Sequence, residues 1–220
     1  MNIVGKNVVI TGASKGIGKA LAQSFVTKGA HVFVLDIMPC DIPEVTFIKT
    51  DITSSSSVSH AIGSIENIDI LINNAGIMRR GNLFENSEQD FDELFAVNLK
   101  GPWLVLNKAI TKMSPQGIVL QIASNHVIKE SSDPALYTIS KTAVATLNAI
   151  LQKTKSELLC KTAYLGHVDT DLGRFHLTEK QIEEKNKEAQ PIDVVIQKLF
   201  ELLVSNAKTL KYMHPNFIFE

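Results

Sequence analysis

The stretch "NVVITGASKGIG" (residues 7–18) decides how the rest of the chain is read. Val8, Val9, Ile10 and Thr11 are β-branched and form a short apolar run, which predicts a buried strand. Glycines then stand at 12, 16 and 18, and helical spacing runs from Ile17 to about Lys28, just before Gly29. A glycine-rich turn gains its meaning from this strand–turn–helix setting. Gly12 allows a tight turn, Gly16 lets backbone approach a pyrophosphate, and Gly18 lets the helix pack close to the sheet. The helix N-terminus offers unpaired N–H groups and a partial positive charge to phosphate. Ser14, Lys15 and Ile17 complete the turn and are counted in the same dinucleotide site. The bland alternative is a structural loop.

Outward from this turn, short apolar runs alternate with longer amphipathic ones. "HVFVL" (31–35), "VTFIK" (45–49), "DILIN" (69–73), "GIVLQIA" (117–123) and "LLCKTAYL" (158–165) read as strands. "SSSSVSHAIGSI" opens with capping residues and reads as a short helix. Helices are also expected over about 88–112, 134–155 and 191–204, with a kink at Gly101-Pro102. The tail "NFIFE" is expected to be an edge strand. Alternation of this kind predicts one α/β domain over 1–220, with a mostly or wholly parallel sheet of about seven strands covered on both faces.

Bulk properties exclude several classes. The 220 residues suffice for one domain with a sizeable core. A net charge of −1 gives no electrostatic argument for nucleic acid or an anionic membrane. No stretch is long enough to cross a bilayer, and "NIVGKNVVITGA" lacks the flanks of a secretory leader, so the cytoplasm is the expected location. Cys40 and Cys160 have no metal or redox spacing, and His167 is most simply a turn residue, so no metal site is expected.

Asp36 ends the second strand, eighteen residues after Gly18. A carboxylate there accepts both ribose hydroxyls of an adenosine and repels a 2′-phosphate, which favours NAD over NADP. No arginine follows, although Lys15 could meet a 2′-phosphate.

Further motifs follow in order: "NNAG" (73–76), "VNLKG" (97–101), Ser124, and "YTISK" (137–141), with Ser124 thirteen residues before Tyr137. With "TGASKGIG", they resemble the short-chain dehydrogenase/reductase family over nearly the whole chain. The resemblance implies a doubly wound Rossmann-type three-layer fold and an oxidoreductase that interconverts an alcohol and a carbonyl with NAD or NADP. It implies a small-molecule substrate and assembly as a homodimer or homotetramer. It also implies a catalytic set of Asn98, Ser124, Tyr137 and Lys141.

Physical chemistry gives that set its roles. Tyr137 and Lys141 lie one helical turn apart on one face. A free tyrosine has a pKa of about 10, and lowering it by about three units needs roughly 4 kcal/mol. Lys141 and a bound nicotinamide cation are expected to supply this, so that Tyr137 exchanges a proton with the substrate oxygen. Ser124 would hold the same oxygen, and Lys141 would also bind nicotinamide ribose. By resemblance, Asn98 would anchor a water between Lys141 and solvent, and Asp51 with Ile52 would meet the adenine. Asn73, Asn74, Ala75 and Gly76 would line the cofactor cleft. In "YLGHVDT" (164–170), Val168 and Thr170 would hold the carboxamide.

Departures from the family pattern are local. Leu165 stands where the family usually has proline, and "LKYMHPNFIFE" replaces a glycine-rich ending. The charged stretch "DLGRFHLTEKQIEEKNKEAQ" is short for a substrate lid, and only Arg174, Phe175 and His176 in it carry other chemistry. Asn125 and His126 could shape a polar substrate pocket, though a surface loop is the plainer reading. Arg79 and Arg80 read more simply as a solvated pair than as an anion site. A catalytically silent nicotinamide-binding regulator is the alternative function, and loss of Tyr137 or Lys141 would have favoured it.

Overall fold

In the computed structural model, the described residues are 2–173, 178–187, 189–213 and 215–220, with backbone alone at 173, 184 and 185. Arg174, Phe175 and His176 therefore lie outside the described residues. The elements run β1 (Asn7–Thr11), α1 (Gly16–Thr27), β2 (His31–Asp36), β3 (Thr46–Lys49), α2 (Ser55–Gly63), β4 (Ile68–Asn73), α3 (Glu88–Phe95) and α4 (Gly101–Ala109). They continue with β5 (Met113–Ser124), α5 (His126–Lys129), α6 (Ala135–Thr154), β6 (Leu159–Leu165), α7 (Glu179–Asn186), α8 (Ile192–Val204), β7 (Thr209–Met213) and β8 (Asn216–Phe219).

Among the described residues, eight strands form one sheet in the order β3-β2-β1-β4-β5-β6-β7-β8. Every pairing is parallel except β7 with β8. β1 is buried along most of its length, as a strand covered by helices on both faces must be. On one face α1 and α8 supply Leu21, Phe25, Leu199 and Leu202 to the core. Full burial of a side chain such as Phe25 stabilises by about 1.5–3 kcal/mol. The other face is covered by α2 and α4, which supply Val58, Ile62 and Val105, with Leu147 and Leu151 of α6 packed against them.

The expected edge strand at "NFIFE" forms as β8. The eighth strand is β7, "TLKYM", which the sequence reading passed over. Its register on β6 (Thr162↔Thr209, Ala163↔Leu210) places it, and so does Lys161. That buried ammonium donates to the Ser205 and Ala207 carbonyls at 2.9 and 2.8 Å, tying the chain after α8 to the sheet.

The expected kink takes a different form. One turn before Pro102, residues Ala96–Lys100 wind as a π turn, with the Gly101 N–H reaching the Ala96 carbonyl. Pro102 sits in the first turn of α4, where its missing N–H is harmless. The π turn buries Asn98 between α6 and the loop after β4.

Strand order reverses at β1, whose neighbours are β2 on one side and β4 on the other. At such a switch point the loops leave in opposite directions and open a crevice at the strand ends. The glycine turn after β1 and "NNAG" after β4 face each other across it.

Candidate active site

The crevice is a cleft of about 420 Å³. Gly12, Lys15, Gly16, Ile17, Asp36, Asp51, Ile52, Asn74, Ala75, Gly76 and Thr170, all named from the sequence, line it. Its walls close at the switch point because glycine lets them. Gly12 has φ +66°, and a Cβ there would stand 2.6 Å from the Ala75 Cα. A Cβ on Gly18 would stand 2.4 Å from the Gly12 carbonyl, so that residue packs α1 under the turn instead of lining the cleft.

Hydrogen bonds fix the turn. Asn74 Nδ2 donates to the Thr11 and Gly12 carbonyls at 3.0 and 2.8 Å. Thr11 Oγ1 accepts the N–H groups of Asn74 and Ala75, both at 3.1 Å. Thr11 is a site residue that the sequence reading used only as strand. Its hydroxyl at a strand end beside a glycine was the available signal. Ser14 stands behind the turn, donating its N–H to Asp36 Oδ2 at 2.9 Å and its hydroxyl to the Met38 carbonyl at 2.6 Å. Asp36 Oδ1 accepts from Met38 N–H at 3.0 Å. Each carboxylate oxygen keeps a lone pair for a further donor.

Asp51 has a local duty as well, since its Oδ1 accepts the N–H and hydroxyl of Thr53 at the start of α2. Thr170 faces Gly16 across the cleft, while Val168 is buried behind it in a bridge to Gln190.

Asn98, Ser124, Tyr137 and Lys141 gather at one end of the cleft, and all four are buried. They do not line it. The junction is Gly76, where a Cβ would stand 3.2 Å from both Asn98 Oδ1 and Lys141 Nζ. Helical spacing on α6 puts Tyr137, Lys141, Val144 and Asn148 on its buried face. Lys141 Nζ lies 5.7 Å from the Tyr137 ring centroid and donates to the Ile122 carbonyl at 3.1 Å. Burial pushes Lys141 down to about 8. It pushes the Tyr137 phenol up to about 12, partly offset by a hydrogen bond from Ser124. Burial by the protein thus runs against the expected acidification, because desolvation disfavours the phenolate.

Three hydrogen bonds hold the Asn98 side chain. Its Nδ2 donates to the Ile77 carbonyl at 2.9 Å and to Ser140 Oγ at 3.0 Å, and its Oδ1 accepts from Ile77 N–H at 2.9 Å. The loop it holds carries Ile77 and Met78, which pack with Tyr137. Asn98→Ala is therefore expected to lower the unfolding free energy by about 2–4 kcal/mol, because it strands these partners. Urea denaturation checks this, and a loss well below about 1 kcal/mol would contradict it.

Other sequence expectations resolve simply. Arg79 pairs with Glu93 at 2.7 Å and Asp90 at 3.5 Å, so it is a tethered cation at the cleft rim and not a solvated one. Asn125 is buried and His126 partly so, which overturns the surface-loop reading. Cys160 is buried and its thiol is pushed up to about 11, which makes it inert. No helix among the described residues is long and apolar enough to cross a membrane.

Comparison with known proteins agrees with this geometry. The family model described as short chain dehydrogenase matches residues 6–181. An uncharacterized oxidoreductase of Thermotoga maritima is 36% identical over 166 residues, covering 69% of this chain and 66% of that protein. The chain thus spans just under two thirds of the length of that relative. The 2,3-dihydro-2,3-dihydroxybenzoate dehydrogenase of Escherichia coli is 30% identical over 195 residues, covering 84% and 78%. The ligand-free aldohexose dehydrogenase of Thermoplasma acidophilum superposes with TM-score 0.81 at 28% identity, covering 91% of this chain and 87% of that one. With the glycine turn, the switch-point cleft and the tyrosine–lysine pair matched by a family model over most of its length, this chain belongs to the short-chain dehydrogenase family.

Proposed function

We propose that the protein is an NAD(P)-dependent oxidoreductase that interconverts an alcohol and a carbonyl, with Tyr137 as the proton donor and acceptor. The observation that carries this reading is Lys141, a buried ammonium one turn from Tyr137, bonded to a carbonyl and with no carboxylate partner among the described residues. A buried unpaired lysine destabilises a fold, so a functional reason is needed for it there. A nicotinamide-binding regulator would need Lys141 only for the nicotinamide ribose, and its place one turn from the Tyr137 phenol would then serve no purpose.

The residues present fit a nicotinamide dinucleotide. The glycine turn meets the N-terminus of α1, which suits a pyrophosphate, and Asp36 offers acceptors for ribose hydroxyls. When bound, the nicotinamide supplies the hydride or takes it up, and in its oxidised form adds a positive charge. Protonated through the neutral range, Tyr137 is ready to donate to a carbonyl oxygen. The reverse step needs the phenol acidified, to which Lys141 contributes its charge. Ser124 holds the reacting oxygen beside the phenol. Both N–H groups of Asn98 are committed, so a water relay there would use its remaining Oδ1 lone pair or its main-chain carbonyl. The decisive test is a panel of ketones, sugars and secondary alcohols followed by nicotinamide absorbance with each cofactor.

NAD is the preferred cofactor in this reading. Asp36→Ala is expected to weaken NAD binding about tenfold or more and to narrow the NAD/NADP affinity ratio by a similar factor. Titration calorimetry with each nucleotide checks it, and an unchanged ratio would remove the role given to that carboxylate.

A further inference from the structure

Ser140 stands in α6 between Tyr137 and Lys141 and is wholly buried. Its hydroxyl donates to the Tyr137 carbonyl at 2.8 Å, a bond that serine readily makes inside a helix. With its one hydrogen spent, the oxygen can only accept outward, and it accepts from Asn98 Nδ2 at 3.0 Å. A flipped Asn98 amide would aim Oδ1 at an oxygen with no hydrogen to give, so Ser140 also fixes which way that amide faces. Asn98 in turn grips both main-chain groups of Ile77, the N–H through Oδ1 and the carbonyl through Nδ2, each at 2.9 Å. Ile77 lines the cleft next to Gly76. A chain of hydrogen bonds thus runs from the cleft wall, through Asn98 and Ser140, to the main chain of Tyr137.

Other contacts hold α6 against the same wall, but more loosely. Tyr137 and Leu136 pack with Ile77, Met78, Leu94 and Phe95. Apolar packing is non-directional, so it brings α6 close without setting its rotation. Lys141 reaches the Ile122 carbonyl on a flexible four-carbon stem, which follows a shift of the helix. A rotation of α6 about its axis carries the phenol with it, and a misplacement of about 1 Å can cost about 100-fold in rate.

We propose that Ser140 is a positioning residue that, through Asn98, locks the rotation of α6 against the cleft wall and so aims the Tyr137 hydroxyl at the substrate oxygen. The inference rests on the proposed role of Tyr137. Ser140 itself touches neither substrate nor nucleotide.

The test measures kcat, KM and the NADH dissociation constant for the wild type, Ser140→Ala and Ser140→Cys. The substrate is the fastest member of the panel of ketones, sugars and secondary alcohols. Ser140→Ala is expected to lower kcat about 10- to 100-fold, with KM and NADH binding within about threefold of the wild type. Alanine favours a helix more than serine does, so Tm should stay within about 4 °C. Cysteine, a weak donor and acceptor of similar size, should restore part of kcat. In an Asn98→Ala background, Ser140→Ala should cost less than about threefold, because the link is already cut. The chain has three tyrosines, so isotope-labelled tyrosine gives a readout apart from turnover. The Tyr137 ring signal should move in Ser140→Ala, while those of Tyr164 on β6 and Tyr212 on β7 stay. Wild-type kcat in Ser140→Ala, an equal loss in both Asn98 backgrounds, or an unmoved Tyr137 signal overturns the proposal. So does a fall in Tm or in NADH binding that matches the loss of kcat, which would make Ser140 a structural residue. All these outcomes leave the oxidoreductase reading standing. A wild type without nicotinamide-linked turnover across the panel overturns both.

Discussion

Tyr137→Phe is expected to lower kcat about 10³-fold while changing the NADH dissociation constant by less than about threefold. The substitution deletes one hydroxyl and keeps the ring that packs against Ile77, Met78, Leu94, Leu136 and Phe95. Stability should therefore change little, since the lost bond to Ser124 is worth only about 1 kcal/mol. Because the hydroxyl is buried at the end of the cleft and does not line it, nucleotide contacts along the cleft should survive. Single-turnover absorbance and fluorescence titration with NADH separate the two effects. Comparable turnover in the mutant would refute the assignment of Tyr137. A collapse of NADH binding would show that the hydroxyl serves the nucleotide instead.

Lys141→Met is expected to abolish turnover and yet make the nucleotide-free protein more stable at pH 7. The ammonium is buried and its pKa falls from 10.5 to about 8. A folded-state pKa depressed in this way contributes stability that is present above 10.5 and lost as pH falls through about 8. At pH 7 the full penalty of a buried charge remains, about 3 kcal/mol at 1.36 kcal/mol per pKa unit. Methionine has a similar volume and no charge. It loses the bond to the Ile122 carbonyl, worth about 1 kcal/mol. The net gain is about 2 kcal/mol, or roughly 4–8 °C in Tm for a chain of this size. The gain should shrink between pH 8 and 10.5 and turn into a loss of about 1 kcal/mol above, where only the missing carbonyl bond counts. The raised pKa of Tyr137, near 12, lowers stability as pH rises above 10, but in both proteins alike. Thermal unfolding at pH 7 and pH 10 is the measurement. A less stable variant at pH 7 would mean that the ammonium is better compensated than its single carbonyl bond indicates.

Much of the fold was legible because its signals are local. Val8 to Thr11, the glycines at 12, 16 and 18, and the apolar stripe of α1 declare strand, turn and helix within a dozen residues. The four-residue spacing of Tyr137 and Lys141 fixes a shared face on any helix. β7 escaped because "TLKYM" mixes charged and apolar residues weakly, and only pairing with β6 and the reach of Lys161 make it a strand.

The sequence by itself determined the doubly wound class and the glycine turn, and its family resemblance named four candidate catalytic side chains. The tertiary structure decided what state those side chains are in. It buried Tyr137 and Lys141 enough to move both pKa values toward the neutral forms. It bound Asn98 to Ser140, forty-two residues away, and set His126 against Tyr137. Backbone preference depends on neighbours within a helical turn, whereas desolvation and hydrogen-bond partnership depend on which distant residues arrive at the same place.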